Sequence, residues 1–148
     1  MRTNNQIAVF FTFKDLGINK YLLVKRTQKR GGFWQAVSGG EEDFDNGDLL
    51  NTAVRETKEE LDLDISKDRI QDLMCDHEFE VPGRGTIHES FFGVILDPSE
   101  MKNIRLSDEH DNLVWSGDIE YLKGLIPFQK CREALEHFSQ LNNFSSLN

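Results

Sequence analysis

The sequence has little cysteine, no long apolar run and few positive charges, and each scarcity excludes a class of protein. Its 148 residues include two cysteines, Cys75 and Cys131, which are too few and too unpatterned for a disulfide framework or a zinc site. No stretch reaches the roughly eighteen apolar residues of a membrane span, and the first residues lack the apolar core of a signal peptide. We therefore expect free thiols and a cytoplasmic location.

The charge balance also limits the partners. The chain has 26 acidic and 17 basic residues, a net charge of −9. A protein that binds nucleic acid polymers needs a basic surface to displace counterions, so this class of partner is not expected. A length of 148 residues predicts one domain over residues 1–148, with 141–148 as a frayed tail. A hydrophobic content of 38% is enough for a core.

Nearly all of the excess negative charge lies in residues 41–64. This segment has ten acidic side chains against two basic ones, a net charge of −8. One interpretation is a solvated acidic helix face. The other is a site for Mg²⁺ or Mn²⁺, because these ions prefer carboxylate and water oxygens. The spacing alone leaves both open.

A helix with Asp48 as its N-cap is predicted in this segment. At about 100° per residue, Glu56 and Glu60 lie one turn apart on the helix, with Glu59 beside them. Three glutamates at this spacing repel each other unless something neutralises them. They are therefore the candidate ligands if a cation binds here.

Residues 55–60, Arg-Glu-Thr-Lys-Glu-Glu, have the internal spacing of the core of the Nudix box and follow a Gly-Gly turn, and the chain resembles the Nudix hydrolase family. The resemblance extends over residues 22–26, 33–40, 89–92 and 107–115. It is greatest to the branch of dihydroneopterin triphosphate pyrophosphatase, also described as a dATP pyrophosphohydrolase. The order of strand and helix patterns predicts an α+β sandwich. The resemblance makes this the Nudix fold, a mixed central β-sheet between helices.

The resemblance also implies roles for the acidic residues. Glu56, Glu59 and Glu60, with the carbonyl group of Gly40, would hold Mg²⁺ or Mn²⁺. Arg55 would fix the orientation of a box glutamate. The general base stays open among Glu59, Glu89 and Glu109. Two alternatives for Glu89 are a role as an additional metal ligand and a position facing solvent. If Glu89 points into the site, its neighbour His88 should point the other way.

Four residues are predicted to contact the substrate. Arg26 and Lys25 would contact its phosphates, although ordinary surface charge is an alternative interpretation. Trp34 is predicted either to stack on a base or to pack in the core. Glu109 is a possible lid carboxylate, and its neighbour His110 is expected to hold the loop.

The resemblance implies hydrolysis of a phosphoanhydride in a nucleoside-diphosphate-linked substrate. A (deoxy)nucleoside or pterin triphosphate would give a monophosphate and pyrophosphate. A dinucleoside polyphosphate hydrolase is one alternative. A catalytically weak nucleotide-binding module is another, supported only by Gly47, which replaces the first glutamate of the family pattern in a loop about two residues longer than usual. A homodimer is compatible with the sequence.

Overall fold

The chain folds around one seven-stranded mixed β-sheet with helices on both faces. The computed structural model describes residues 1–146, and side chains for residues 1–143. The strands are β1 (Arg2–Asp15), β2 (Ile18–Arg26), β3 (Trp34–Gln35), β4 (Val37–Glu42), β5 (Ile70–Val81), β6 (Gly85–Ile95) and β7 (His110–Ser116). The helices are α1 (Leu49–Leu61), α2 (Pro98–Lys102), α3 (Ile119–Leu125) and α4 (Gln129–Ser146).

Strand β1 is the centre of the sheet. The strand order is β3-β2-β1-β6-β5, with β4 also paired to β1 and β7 to β2. Strands β1 and β6 run parallel, and the other pairs are antiparallel. In this register Gln6 lies opposite Gly40 of β4 and Glu89 of β6, and Glu89 lies opposite His77 of β5. Three polar residues, Gln6, Glu89 and His77, are therefore placed side by side on the adjacent strands β1, β6 and β5.

Two apolar clusters confirm the predicted sandwich. On one face of the sheet, Leu61 of α1 and Met101 near the end of α2 pack with the odd-numbered side chains of β1. On the other face, Leu122 of α3 and Phe138 of α4 pack with Ala8 and Phe10. Strand alternation divides β1 between these two cores.

The segment 97–106 contains α2, because Asp97 and Glu100 form a capping box and Pro98 occupies the first turn. Helix α4 continues into the segment 141–148, predicted as a frayed tail, as far as Ser146. Leu141 packs against the core, and Asn142 Nδ2 donates to the carbonyl oxygen of Phe138 at 2.9 Å. Residues 147 and 148 lie outside the described residues.

No helix within residues 1–146 is both long enough and apolar enough to cross a membrane.

Candidate active site

Helix α1 brings the three predicted ligands together. It begins after Asp48, whose side chain accepts a hydrogen bond from the Leu50 amide at 2.9 Å, as expected of an N-cap. Glu56, Glu59 and Glu60 each present an oxygen, and these three oxygens lie within 4.8 Å of one another. Their spacing of three and four residues places them on neighbouring positions of one helix surface.

A glycine is required where β4 passes this cluster. A Cβ atom added at Gly39 would overlap the carboxylate of Glu56. At Gly40 it would overlap the guanidinium of Arg2. The two glycines therefore allow side chains to cross directly over the strand, which explains the Gly-Gly pair at this point.

Arg55 is held by its neighbours on several sides. Its Nε donates to Asp45 Oδ1 at 3.1 Å, and its Nη2 donates to Asp45 Oδ2 at 3.0 Å. Nη1 donates to Glu56 Oε1 at 2.9 Å and reaches both oxygens of Glu59 at 3.3 Å. Arg55 thus orients two of the three glutamates, as the resemblance implied.

The Gly40 carbonyl oxygen, predicted as a metal ligand, accepts a hydrogen bond from Arg55 Nη2 at 2.8 Å. A carbonyl oxygen has two lone pairs, so this hydrogen bond leaves one of them for a cation. Gly40 as a metal ligand stays a prediction.

Asp45 is the site residue that sequence reasoning missed. It is 3% exposed and also accepts hydrogen bonds from the Thr52 hydroxyl and the Glu42 amide, both at 2.9 Å. The hydrogen bonds from Arg55 are the main reason that the pKa of Asp45 falls to about 2. Asp45 therefore gives Arg55 a buried carboxylate partner. The family pattern has a glutamate at the position of Gly47, and this chain has no carboxylate there.

The carboxylate that pairs with Arg55 lies at residue 45 rather than at residue 47, and the conformation of the loop accounts for this difference. Asn46 and Gly47 have left-handed backbone conformations, with φ of 59° and 72°. A glutamate at residue 47 would be strained there, whereas glycine adopts this conformation freely. The two additional residues noted in the sequence place Asp45, two positions earlier, against Arg55.

The loop before β7 contacts the glutamate cluster at Glu60. The Ser107 hydroxyl donates to Glu60 Oε2 at 2.8 Å, and His110 Nδ1 lies 2.8 Å from the same oxygen. Burial alone would raise the pKa of Glu60, but His110, Glu109 and Ser107 hold it below its usual range. The carboxylate of Glu60 in turn raises the pKa of Glu109. His110 Nδ1 is close to Glu60 but forms no hydrogen bond with a described residue, so the role of His110 in holding this loop stays a prediction.

The donor set fits a hard divalent cation. Glu56 and Glu60 are buried, with 8% and 2% of their surface exposed. Burial raises the pKa of Glu56 to about 7, more than Arg55 lowers it, because a desolvated carboxylate favours its protonated form. A cation would replace that proton, and carboxylate oxygens are the ligands that Mg²⁺ and Mn²⁺ prefer.

A cavity of about 910 Å³ opens beside the glutamates. This is a volume typical of small-molecule sites. Of the predicted site residues, the following line it: Arg26, Gly40, Arg55, Glu56, Glu59, Glu89 and Glu109.

Lys25 and Trp34 are not among the described residues that line the cavity, so their predicted substrate contacts are not supported. They lie opposite each other on β2 and β3, and Trp34 packs against the core that contains Ala36. The packing alternative for Trp34 is therefore the one that the structure favours.

Arg26 faces the cavity with an unsatisfied donor. Its Nε is buried and has no hydrogen-bond partner among the described residues. Its guanidinium lies 5.5 Å from the centre of the Phe33 ring. By contrast, Arg30 forms an ion pair with Glu109 at 2.7 Å. Arg26 is therefore free to bind an anion.

Glu89 points into the cavity, and His88 points away from it, as expected if Glu89 faces inward. His77 Nε2 lies 2.7 Å from Glu89 Oε1, and Gln6 Nε2 donates to Glu89 Oε2. His88 is exposed on the opposite face, where its Nδ1 lies 3.0 Å from Glu78 Oε1. The solvent-facing alternative for Glu89 is wrong.

A mixed sheet thus carries three clustered glutamates at the edge of a cavity that several arginines line. The NUDIX domain model matches residues 4–120. The chain therefore belongs to the Nudix family.

Solved structures share the fold over most of their length. The dihydroneopterin triphosphate pyrophosphohydrolase of E. coli has a TM-score of 0.76 and 25% identity, covering 95% of this chain and 97% of its own. A binary complex of the C. elegans Ap4A hydrolase has a TM-score of 0.75 and 22% identity, covering 95% and 98%.

A curated Myxococcus xanthus protein named octanoyltransferase is 32% identical over 120 residues, which are 79% of this chain. Those residues are 31% of that protein, so this chain spans about a third of its length.

Proposed function

We propose that this protein hydrolyses a (deoxy)nucleoside or pterin triphosphate to a monophosphate and pyrophosphate, in a reaction that depends on Mg²⁺ or Mn²⁺. The observation that carries the proposal is the cluster of Glu56, Glu59 and Glu60 at the edge of a cavity that also contains Arg26. Carboxylates on one side and an unpaired guanidinium on the other suit a metal-bound polyphosphate.

Glu56, Glu59 and Glu60 would hold the ion. Bound there, Mg²⁺ would lower the pKa of a coordinated water and neutralise charge on the leaving phosphate. Arg55 keeps Glu56 and Glu59 oriented, and Asp45 keeps Arg55 in place. Arg26 would bind a phosphate oxygen through its free donors.

Glu89 is the proposed general base. Glu59 interacts with Arg55, and Glu109 pairs with Arg30 and adjoins Glu60. No lysine or arginine in the described part of the chain pairs with Glu89, whose carboxylate contacts His77 and Gln6 and faces the cavity.

The rest of the cavity is suited to a flat heterocycle. Phe33 and Phe128 line it with their ring centres 5.1 Å apart and their planes at 90°. Phe79 and Phe91 line it near Glu89. Aromatic walls of this kind bind planar rings by stacking and edge-to-face contacts, as expected for a nucleobase or a pterin.

A dinucleoside polyphosphate is the second candidate substrate. Phe44 and Phe128 are 65% and 48% exposed, and they border the cavity from different parts of the chain. Two accessible rings could each receive one base of a dinucleotide. The similarity to the C. elegans Ap4A hydrolase adds support.

The test is a substrate panel with and without Mg²⁺, in which pyrophosphate, orthophosphate and mononucleotides are measured separately. Release of pyrophosphate from triphosphates is the expected result. Mononucleotides from dinucleoside polyphosphates would favour the second candidate. Tight binding without turnover of any substrate would contradict both.

A further inference from the structure

The floor of the cavity contains a row of polar side chains that the metal cluster does not include. Gln6, Glu89 and His77 are register neighbours on the adjacent strands β1, β6 and β5. Their side chains lie on the same face and line the cavity. Gln6 Nε2 and His77 Nε2 each contact a different oxygen of Glu89. The carboxylate is therefore held from both sides.

The imidazole of His77 is itself held in place by rings. It stacks on Phe91 with ring centres 5.7 Å apart and on Phe79 with centres 5.3 Å apart. The planes are inclined by 19° and 29°. Because its position is set by this stack, His77 directs a fixed N–H toward Glu89 rather than following the carboxylate.

We propose that His77 and Gln6 are positioning residues that fix the Glu89 carboxylate for proton transfer during hydrolysis, a role that rests on the proposed function. A carboxylate has about four lone-pair positions, and two hydrogen bonds leave two of them for the attacking water. The water oxygen bonds to phosphorus while the bond to the bridging oxygen breaks, and its electron pair remains on the leaving phosphate. The water proton passes to Glu89 and then to solvent.

The chain offers a matched control for His77. His88 and Glu78 form a second cross-strand His–Glu pair on the same two strands, with a separation of 3.0 Å. That pair lies on the exposed face, away from the cavity. Replacing His88 therefore removes the same kind of contact without affecting Glu89.

The kinetic test compares His77→Phe with His88→Phe. Phenylalanine retains the ring stack at residue 77 and removes the hydrogen bond. We expect kcat to fall about tenfold or more with His77→Phe, as for other residues that orient a catalytic group. KM should change less than about threefold, and His77→Gln should restore part of kcat because its amide can still donate. His88→Phe should match the wild type.

A double variant separates positioning from general structural damage. Glu89→Gln should lower kcat by about 10²- to 10⁴-fold, the range for loss of a general base. Adding His77→Phe to Glu89→Gln should then cost little more, because residues that act through one group are not additive. Equal additional losses in both backgrounds would overturn the proposal. So would a KM change confined to some bases with kcat intact, which would indicate base recognition.

A measurement without turnover keeps this test apart from that of the proposed function. We expect an NMR signal from a slowly exchanging His77 Nε2–H that disappears in Glu89→Ala and persists in Glu78→Ala. If the wild type hydrolyses substrates of the panel but this signal is absent, the positioning of Glu89 by His77 is refuted and the proposed function stands. If the signal is present but no substrate is hydrolysed, both the proposed function and this catalytic role fail.

Discussion

Two of the arginines that border the cavity, Arg55 and Arg26, are held in different ways. Arg55 is bound by Asp45, Glu56, Glu59 and the Gly40 carbonyl, so its donors are occupied within the protein. Arg26 has a buried Nε without a partner among the described residues and only an aromatic ring beside it. Arg55 therefore stabilises the site itself, whereas Arg26 has donor capacity left for a ligand.

The acidic residues of the site also differ in how fully they are paired. Asp45 is paired with one arginine and buried. Glu56, Glu59 and Glu60 crowd together, and Arg55 contacts only the first two. A folded chain tolerates such crowding where a bound cation completes the charge balance. Five predictions test whether paired and unpaired charges behave as this comparison requires.

Arg55→Ala is expected to have the largest effect. It leaves Asp45 buried without its partner, which should lower the free energy of unfolding by about 3 kcal/mol or more. Urea denaturation measures the loss. Lys58→Ala, an exposed change on the same helix, is the control and should leave the midpoint almost unchanged. An equal, small effect of both changes would break the comparison.

Glu60→Gln should reduce kcat by about a hundredfold or more while the unfolding midpoint stays near that of the wild type. The amide keeps the shape and its contacts with Ser107, but it lacks the charge. Steady-state pyrophosphate release and thermal melting measure the two quantities. Asp62→Asn, one turn from Lys58, is the control for charge alone. A variant that unfolds while the remaining protein stays active would contradict the assignment.

Arg26→Ala should raise KM for a triphosphate about tenfold, the loss expected for one charge-assisted hydrogen bond. Stability should hardly change, because the side chain satisfies little within the protein. Lys25→Ala is the matched control, since this neighbour lies outside the cavity. A KM effect as large for Lys25→Ala would show that general charge, rather than the free guanidinium, attracts the substrate.

Mg²⁺ without nucleotide should raise the melting temperature by several degrees, because it binds the folded site and relieves repulsion in the segment 41–64. Calorimetry across a range of Mg²⁺ concentrations measures the shift. Sodium chloride at equal ionic strength controls for screening. A melting curve that Mg²⁺ leaves unchanged would count heavily against the site.

The smallest effect concerns pH. The pKa of Asp45 is about 2 in the folded protein against an ordinary value of 3.8. A depressed pKa contributes stability above the ordinary value and loses it as pH falls toward the folded value. Unfolding free energy should therefore decline between about pH 4 and pH 2 more steeply in the wild type than in Asp45→Asn. Parallel curves would show that Asp45 is not the paired carboxylate.

The fold and the cluster of three glutamates could be predicted because they depend on local spacing. Glu56, Glu59 and Glu60 need only a regular helix to come together, and the apolar pattern and Asp48 specify that helix. The mixed sheet followed from the order of elements and from the family resemblance.

Other features depended on contacts between distant segments. Asp45 reaches Arg55 only through a left-handed turn at residues 46 and 47, which shifts the carboxylate by two positions. The contact between His77 and Glu89 depends on the register of β5 and β6, which cannot be read from the sequence. Gln6, which lines the cavity, and Lys25, which does not, show the same limit, since the register of the sheet decides which face a side chain lines.

The central claim is that the three glutamates bind a divalent cation, and Mn²⁺ titration followed by electron paramagnetic resonance tests it most directly. Wild-type protein should bind Mn²⁺, Glu56→Gln/Glu60→Gln should lose that binding, and Asp62→Asn/Asp64→Asn, with the same charge change, should keep it. Equal Mn²⁺ binding by the wild type and both double variants would contradict the account.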